Sequence, residues 1–247
     1  MTCRATVTAA AAAIAILAGG CSDDVVCPEA GQGSTLPYVS ALVVERSDGR
    51  LESTHVEIEC TADPTPILFV PFVNGREIPR VDEDGTPGEL AILDDDLLLC
   101  QPGVQCLLEV TTNYGQATAE VSTPEAPDVT APSQITVADT LTLVWRTVTD
   151  ADYYQVSAVL LSGVEAATAP ADVESITLWA VTLDTVAVFP PGDLPTWGTL
   201  TGSVEAVAGP FPESGGRGNG SGSGWGFFTV RYADAGSAFE VAVSDTL

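Results

Sequence analysis

The stretch His55-Val-Glu-Ile-Glu-Cys-Thr61 alternates without a break, with Val56, Ile58 and Cys60 on one side and His55, Glu57 and Glu59 on the other. A two-residue period of this kind builds an extended strand with one buried face. Ile67-Leu-Phe-Val70, Cys106-Leu-Leu-Glu-Val110 and Ala117-Thr-Ala-Glu-Val121 continue it, separated by turn formers such as Asn74-Gly75 and Asp84-Gly85. No window of this region carries the spacing of an amphipathic helix. Further on, Leu141, Leu143 and Trp145 share a face, and Tyr154, Val156, Ala158 and Leu160 share another. Strands are also expected over 175–181, 185–189, 199–208 and 226–232. Strands at regular spacing with Gly and Pro between them indicate sandwiches. Pro124-Glu-Ala-Pro-Asp-Val-Thr-Ala-Pro132 holds three prolines and divides the pattern. The expected fold class is all-β: two tandem β-sandwich domains over 37–123 and 133–240, with a linker at 124–132 and a tail at 241–247.

The start of the chain follows other rules. Arg4 stands near the amino terminus, and residues 9–18 form an uncharged apolar run. Spanning a bilayer takes roughly 20 apolar residues, so this run suits a signal-peptide core instead. Residues 1–20 are therefore expected to be a cleaved signal peptide. Leu17-Ala-Gly-Gly-Cys21 resembles the lipobox of bacterial lipoproteins, although the leucine stands four residues before the cysteine rather than three. The resemblance implies cleavage before Cys21 and attachment of diacylglycerol to it, with residues 21–36 as a tether. The plainer alternative is an ordinary signal with Cys21 as a spare thiol. By similarity to the sorting of enteric lipoproteins, Ser22 favours the outer membrane, while Asp23 and Asp24 weigh against it. The protein is thus expected to be exported and lipid-anchored to the cell envelope, at the outer membrane.

Charge narrows the partners. The chain carries 34 acidic residues against 8 basic ones, a net charge of −26, and contains no lysine. Loss of Arg4 with the signal peptide leaves −27. Nucleic acid and anionic headgroups both demand a basic face, so neither is an expected partner. Hydrophobic residues reach 45%, enough for a packed core.

Four cysteines stay after Cys3 and the lipidated Cys21 are set aside: Cys27, Cys60, Cys100 and Cys106. An even number in an oxidising compartment points to disulfides. Pro102-Gly103 lies between Cys100 and Cys106, and a turn there favours joining these two, leaving Cys27 for Cys60. With one histidine and no Cys-x-x-Cys, a metal site is the weaker reading.

Two family resemblances emerge. Glu109-Val-Thr-Thr-Asn-Tyr-Gly-Gln-Ala-Thr-Ala119 resembles the hairpin that closes immunoglobulin-like domains, an Asn-x-Gly turn between strands. In that family a cysteine on this hairpin bridges to the strand around Cys60. Here the position is nearest Leu108, with Cys106 two residues earlier. The resemblance thus adds Cys60–Cys106 as a rival pairing. The second half resembles a fibronectin type III module. Leu143-Val-Trp145 stands where that family has its core tryptophan, and Ala151-Asp-Tyr-Tyr-Gln-Val156 fits its Ala-x-x-Tyr-x-Val strand. Val204-Glu-Ala206 fits the late strand, with Leu200 in place of the expected tyrosine.

Candidate sites are sparse. His55 lies on the polar face of its strand, with no Gly-x-Ser-x-Gly nucleophile motif in the vicinity. Asp82 and Asp84 in one acidic run, and Asp94, Asp95 and Asp96 in another, are calcium candidates. Neither run has EF-hand spacing, and acidic solvated turns are the simpler reading. Residues 214–226 form a glycine-rich loop holding Arg217 and Trp225, residue types that anchor interfaces. Its plain reading is a flexible hairpin connection. Trp179 and Trp197 could stack on sugars if exposed, but tryptophans in sandwiches are more often core, and that is the reading expected here. No catalytic residue and no cofactor is expected. The function expected is that of a non-catalytic envelope lipoprotein presenting β-sandwiches to a protein or glycan partner, in adhesion or as an envelope structural part. A carbohydrate-binding module and a secreted hydrolase using acidic residues are the alternatives.

Overall fold

In the computed structural model the described residues are 37–47, 51–61, 68–81, 90–161, 177–195, 197–210 and 218–244. The signal peptide, the tether, Cys21 and Cys27 lie outside them, as do Asp82, Asp84 and Arg217. Among the described residues each alternating stretch holds a strand, although Trp145 stands just past the end of one; Ile67, Ser175 and Ile176 lie outside the described residues. The first half supplies β1 (Tyr38–Ser47), β2 (Glu52–Thr61), β3 (Phe69–Val73), β4 (Arg76–Glu77), β5 (Arg80–Val81), β6 (Leu90–Asp95), β7 (Gln105–Thr112) and β8 (Gly115–Ser122). The second half supplies β9 (Gln134–Thr136), β10 (Leu141–Val144), β11 (Tyr153–Leu161), β12 (Thr177–Thr182), β13 (Val186–Phe189) and β14 (Gly198–Ala208). It ends in β15 (Ser221–Gly222), β16 (Trp225–Asp234) and β17 (Ala238–Ser244). No α-helix occurs among the described residues.

Two hydrophobic cores form. In the first, Val43 of β1 and Val56 and Ile58 of β2 face Phe69 and Val73 of β3 and Val110 of β7. Each of these side chains is essentially sealed from solvent, and such burial stabilises by about 1.5–3 kcal/mol per residue. In the second, Leu141 and Leu143 of β10 face Val156 of β11, Leu200 and Val204 of β14 and Val241 of β17. Trp145 packs edge-on against Tyr154 at 5.2 Å between ring centroids. The Tyr154 hydroxyl accepts a bond from the Val148 amide at 2.9 Å.

Turn chemistry fixes the hairpins. Asn74 and Gly75 both adopt positive φ, 48° and 78°, as a two-residue hairpin turn requires. The Asn74 side chain then does more than turn the chain. It donates to the Leu99 carbonyl at 2.6 Å and accepts from the Leu107 amide at 2.9 Å.

The pairing order holds a feature that the strand pattern did not announce. A ten-stranded sheet runs β12-β11-β14-β16-β1-β2-β6-β5, with β17 beside β14 and β9 beside β17. It therefore passes from the second half into the first without a break. The joint is β16. Its end pairs with β14, Ala206 to Tyr232 and Ala208 to Val230, while all ten of its residues run parallel to β1, from Tyr38–Trp225 to Ser47–Asp234. Phe228 and Val230 of β16 are buried in the first core. The short β15 joins the edge of β8 in the five-stranded sheet β15-β8-β7-β3-β4. Residues 218–234 thus extend both sheets of the first sandwich, although they follow the proline-rich division by about ninety residues of sequence.

The segments read as linker and tail are also more engaged than their composition suggests. Thr130 bridges to Val144, and the Val129 amide donates to the Gly236 carbonyl at 2.9 Å. Past residue 240 the strand β17 runs on to Ser244 and buries Val241 and Val243. Its alternation of Phe239, Val241 and Val243 explains why.

Candidate functional site

The glycine-rich loop is where the sequence suggested binding contacts, and its described part is packed against the first sandwich. The Gly218 and Gly226 backbones touch, and a Cβ on Gly226 would stand 1.9 Å from the Val39 carbonyl oxygen. Asn219 brackets Phe228, donating to its carbonyl at 3.0 Å and accepting from its amide at 2.8 Å. Glycines here allow close approach of backbones, which differs from the flexible connection their composition suggests. Trp225 opens β16. Its ring is half-buried and edge-on to Tyr38, 4.8 Å between centroids, with Phe227 beside them.

The seam between the halves carries a charge cluster that sequence reasoning missed. Val204 and Ala206 of β14 face the second core, so Glu205 between them faces away from it. Two neighbouring strands bring arginines to meet it. Arg46 Nη2 of β1 lies 3.0 Å from Glu205 Oε1, and Arg231 Nη1 of β16 lies 3.9 Å from Oε2. The Glu205 side chain is 4% exposed, that of Arg231 13% and that of Arg46 52%. One buried carboxylate between two guanidiniums joins three strands from distant parts of the chain. Such a cluster orients strands and offers no nucleophile or proton relay. Removing the carboxylate would leave Arg231 buried without its counter-charge. Glu205→Ala should therefore cost about 3 kcal/mol in urea unfolding, whereas Arg46→Ala, at a half-exposed position, should cost about 1 kcal/mol or less. Equal costs would mean that burial of the charge is not what matters.

A second buried carboxylate, Glu45, was equally unforeseen. Its only sequence signal is a charged residue in the inward phase of Val39, Ala41 and Val43. It is fully buried and accepts from the amides of Leu99 at 3.2 Å and Cys100 at 2.8 Å.

The residues singled out by sequence are scattered. Cys100 and Cys106 are bonded, their Cα atoms 5.2 Å apart, and Cys60 is buried in the same core. Asp94 and Asp95, calcium candidates with a solvated acidic turn as the simpler reading, instead end β6 and project to opposite sides. Asp94 meets His55 Nδ1 at 2.7 Å, and Asp95 pairs with Arg76. Asp96 is exposed beyond the strand. Each of the first two carboxylates has its own partner on its own face, so they do not converge. Among the described residues no three His, Cys, Asp or Glu side chains are grouped to hold a metal ion. His55, expected to face solvent, is only 18% exposed. Neighbouring strands shield a mid-strand side chain on a sheet's outer face.

Trp179 and Trp197 are 49% and 40% exposed. The register from Trp179 through Ser157 reaches Ser203 on β14. That is six residues along the strand from Trp197, roughly 20 Å, so the two rings do not form one stacking row.

No family model matches the chain, and no curated protein matches it. Among solved structures the chain is similar to the crystal structure of chicken CNTN1 FN1-FN3 domains, at 12% identity over 85% of this chain and 67% of that one, with a TM-score of 0.20.

Proposed function

We propose that this protein is a non-catalytic lipoprotein of the bacterial cell envelope, held by lipid on Cys21. In this reading it presents an immunoglobulin-like sandwich followed by a fibronectin type III-like sandwich to a protein or glycan partner. The anchor rests on Leu17-Ala-Gly-Gly-Cys21, and the observation that carries the two-sandwich part of the reading is the sheet order. In the first half β1-β2-β6-β5 lies opposite β8-β7-β3, an order that supports the immunoglobulin-like reading. In the second half β10-β13 lies opposite β12-β11-β14-β17. Side chains fill both sandwiches, and at their seam the buried Glu205 carboxylate is matched by the Arg46 and Arg231 guanidiniums. The presented surface therefore consists of strand faces and loops, which suits recognition better than reaction chemistry.

Attachment is tested by fractionation. The chain should partition with membranes, and Cys21→Ser should release it to the soluble fraction. A Cys21→Ser chain that stays with the membranes would sink the lipid anchor. Protease shaving of intact against lysed cells, followed with an antibody to the second sandwich, distinguishes an outward-facing chain from a periplasmic one. Digestion only after lysis would turn the search from adhesion partners towards envelope complexes.

A further inference from the structure

Glu45 closes one end of the first core as part of a cross-strand rung: Tyr232 of β16, Glu45 of β1, Thr54 of β2 and Asp95 of β6 stand opposite one another in register. Its Oε1 accepts from the amides of Leu99 and Cys100. Its Oε2 makes a short bond with Thr54 Oγ1. That same hydroxyl lies 2.6 Å from the Leu97 carbonyl, and it accepts from the Leu99 amide at 3.1 Å.

Threonine has one hydroxyl proton, and a carbonyl can only accept. If the Thr54 proton points at Leu97, the bond between Oε2 and Oγ1 needs a proton of its own, and the carboxyl group is the sole source. We propose that Glu45 is held as the neutral acid, and that its proton latches residues 97–100 and the adjoining disulfide to the end of the first sandwich, so that its loss loosens this segment.

The surroundings favour the neutral form. Burial pushes the Glu45 pKa up to about 7 from 4.5, the bonds from Thr54, Cys100 and Leu99 hold it down, and Glu52 of β2 raises it further. Across the β16 rung, Tyr232 has its own pKa raised, chiefly by burial, and stays uncharged. On β6, Asp95 is compensated by Arg76 of β4. None of the ion pairs among the described residues includes Glu45. Because the folded group holds its proton more tightly than the unfolded one, the latch is fully present below pH 4.5. It is lost as pH rises from 4.5 through 7.

Hydrogen exchange at the Leu99 and Cys100 amides of the full chain, corrected for intrinsic rates, provides the test. Local opening should increase about tenfold between pH 6 and pH 8. In Glu45→Gln the side-chain amide donates to Thr54 and its oxygen still accepts from Leu99 and Cys100, so opening should stay constant within about twofold. The same pH dependence in both chains would overturn the proposal. If Glu45→Gln fails to fold, carboxyl carbon NMR of the unaltered chain decides. Titration near 7 supports the latch, and titration near 4.5 removes it.

Discussion

Residues 37–126, expressed without the rest of the chain, should fail to form a stable sandwich, and a synthetic peptide spanning 218–234 should restore one. The fragment contains β1 to β8 but lacks β16. It therefore loses the whole parallel ladder along β1 and the two β16 side chains, Phe228 and Val230, that are fully buried in its core. Those two side chains together account for about 3–6 kcal/mol, a large part of the roughly 5–15 kcal/mol by which a typical domain is stable. An uncovered β1 edge also presents unpaired amides and carbonyls, which invites aggregation. Far-UV circular dichroism and urea unfolding are the measurements. The fragment alone should show no cooperative transition, and the peptide should bring one back. A fragment that unfolds cooperatively by itself, with stability close to that of the intact chain, would show that β16 is dispensable to the first core.

The second large effect is expected at Gly226. Its φ of 140° lies where side chains are strained. A Cβ there would also fall 1.9 Å from the Val39 carbonyl oxygen and 2.8 Å from its carbonyl carbon. Both are backbone atoms of β1, so no rotamer change relieves the clash and the two strands must part at the start of their ladder. Gly226→Ala should cost about 3 kcal/mol or more, seen as a fall of roughly 10 °C in melting temperature for a unit of this size. Gly192→Ala is the control, since a Cβ at that position meets nothing within 4 Å, and it should leave the melting temperature within about 2 °C. Equal effects at the two sites would mean that close approach of β16 to β1 is not what Gly226 provides.

Much of the secondary structure was legible. The strict phase of Val56, Ile58 and Cys60 gave β2 its inward face, and Asn74-Gly75 gave the first hairpin its turn. Thr199 to Ala208 read as one strand and is one, with Gly198 added. Leu90-Ala-Ile-Leu-Asp-Asp95 has no such phase, and its acidic end reads most simply as a solvated turn. It forms β6 because β2 and β5 flank it with backbone partners. Tertiary context overrode a weak local pattern there.

The charged sites were hidden for a different reason. Glu45 and Glu205 looked like two of many acidic residues. Arg46 meets Glu205 across 159 positions, and the Cys100 amide meets Glu45 across 55. No local pattern spans such distances. That the chain is built of strands, which faces those strands bury and where several turns fall can all be read locally, because side-chain period and turn chemistry are written in neighbouring residues. Tertiary structure alone decided that β16 serves both halves, that glycines at 218 and 226 bring backbones together, and that two carboxylates are buried. A β-ladder is made by amides and carbonyls that every residue type but proline supplies in full, so the identity of a strand's partner is settled only when the whole chain has packed.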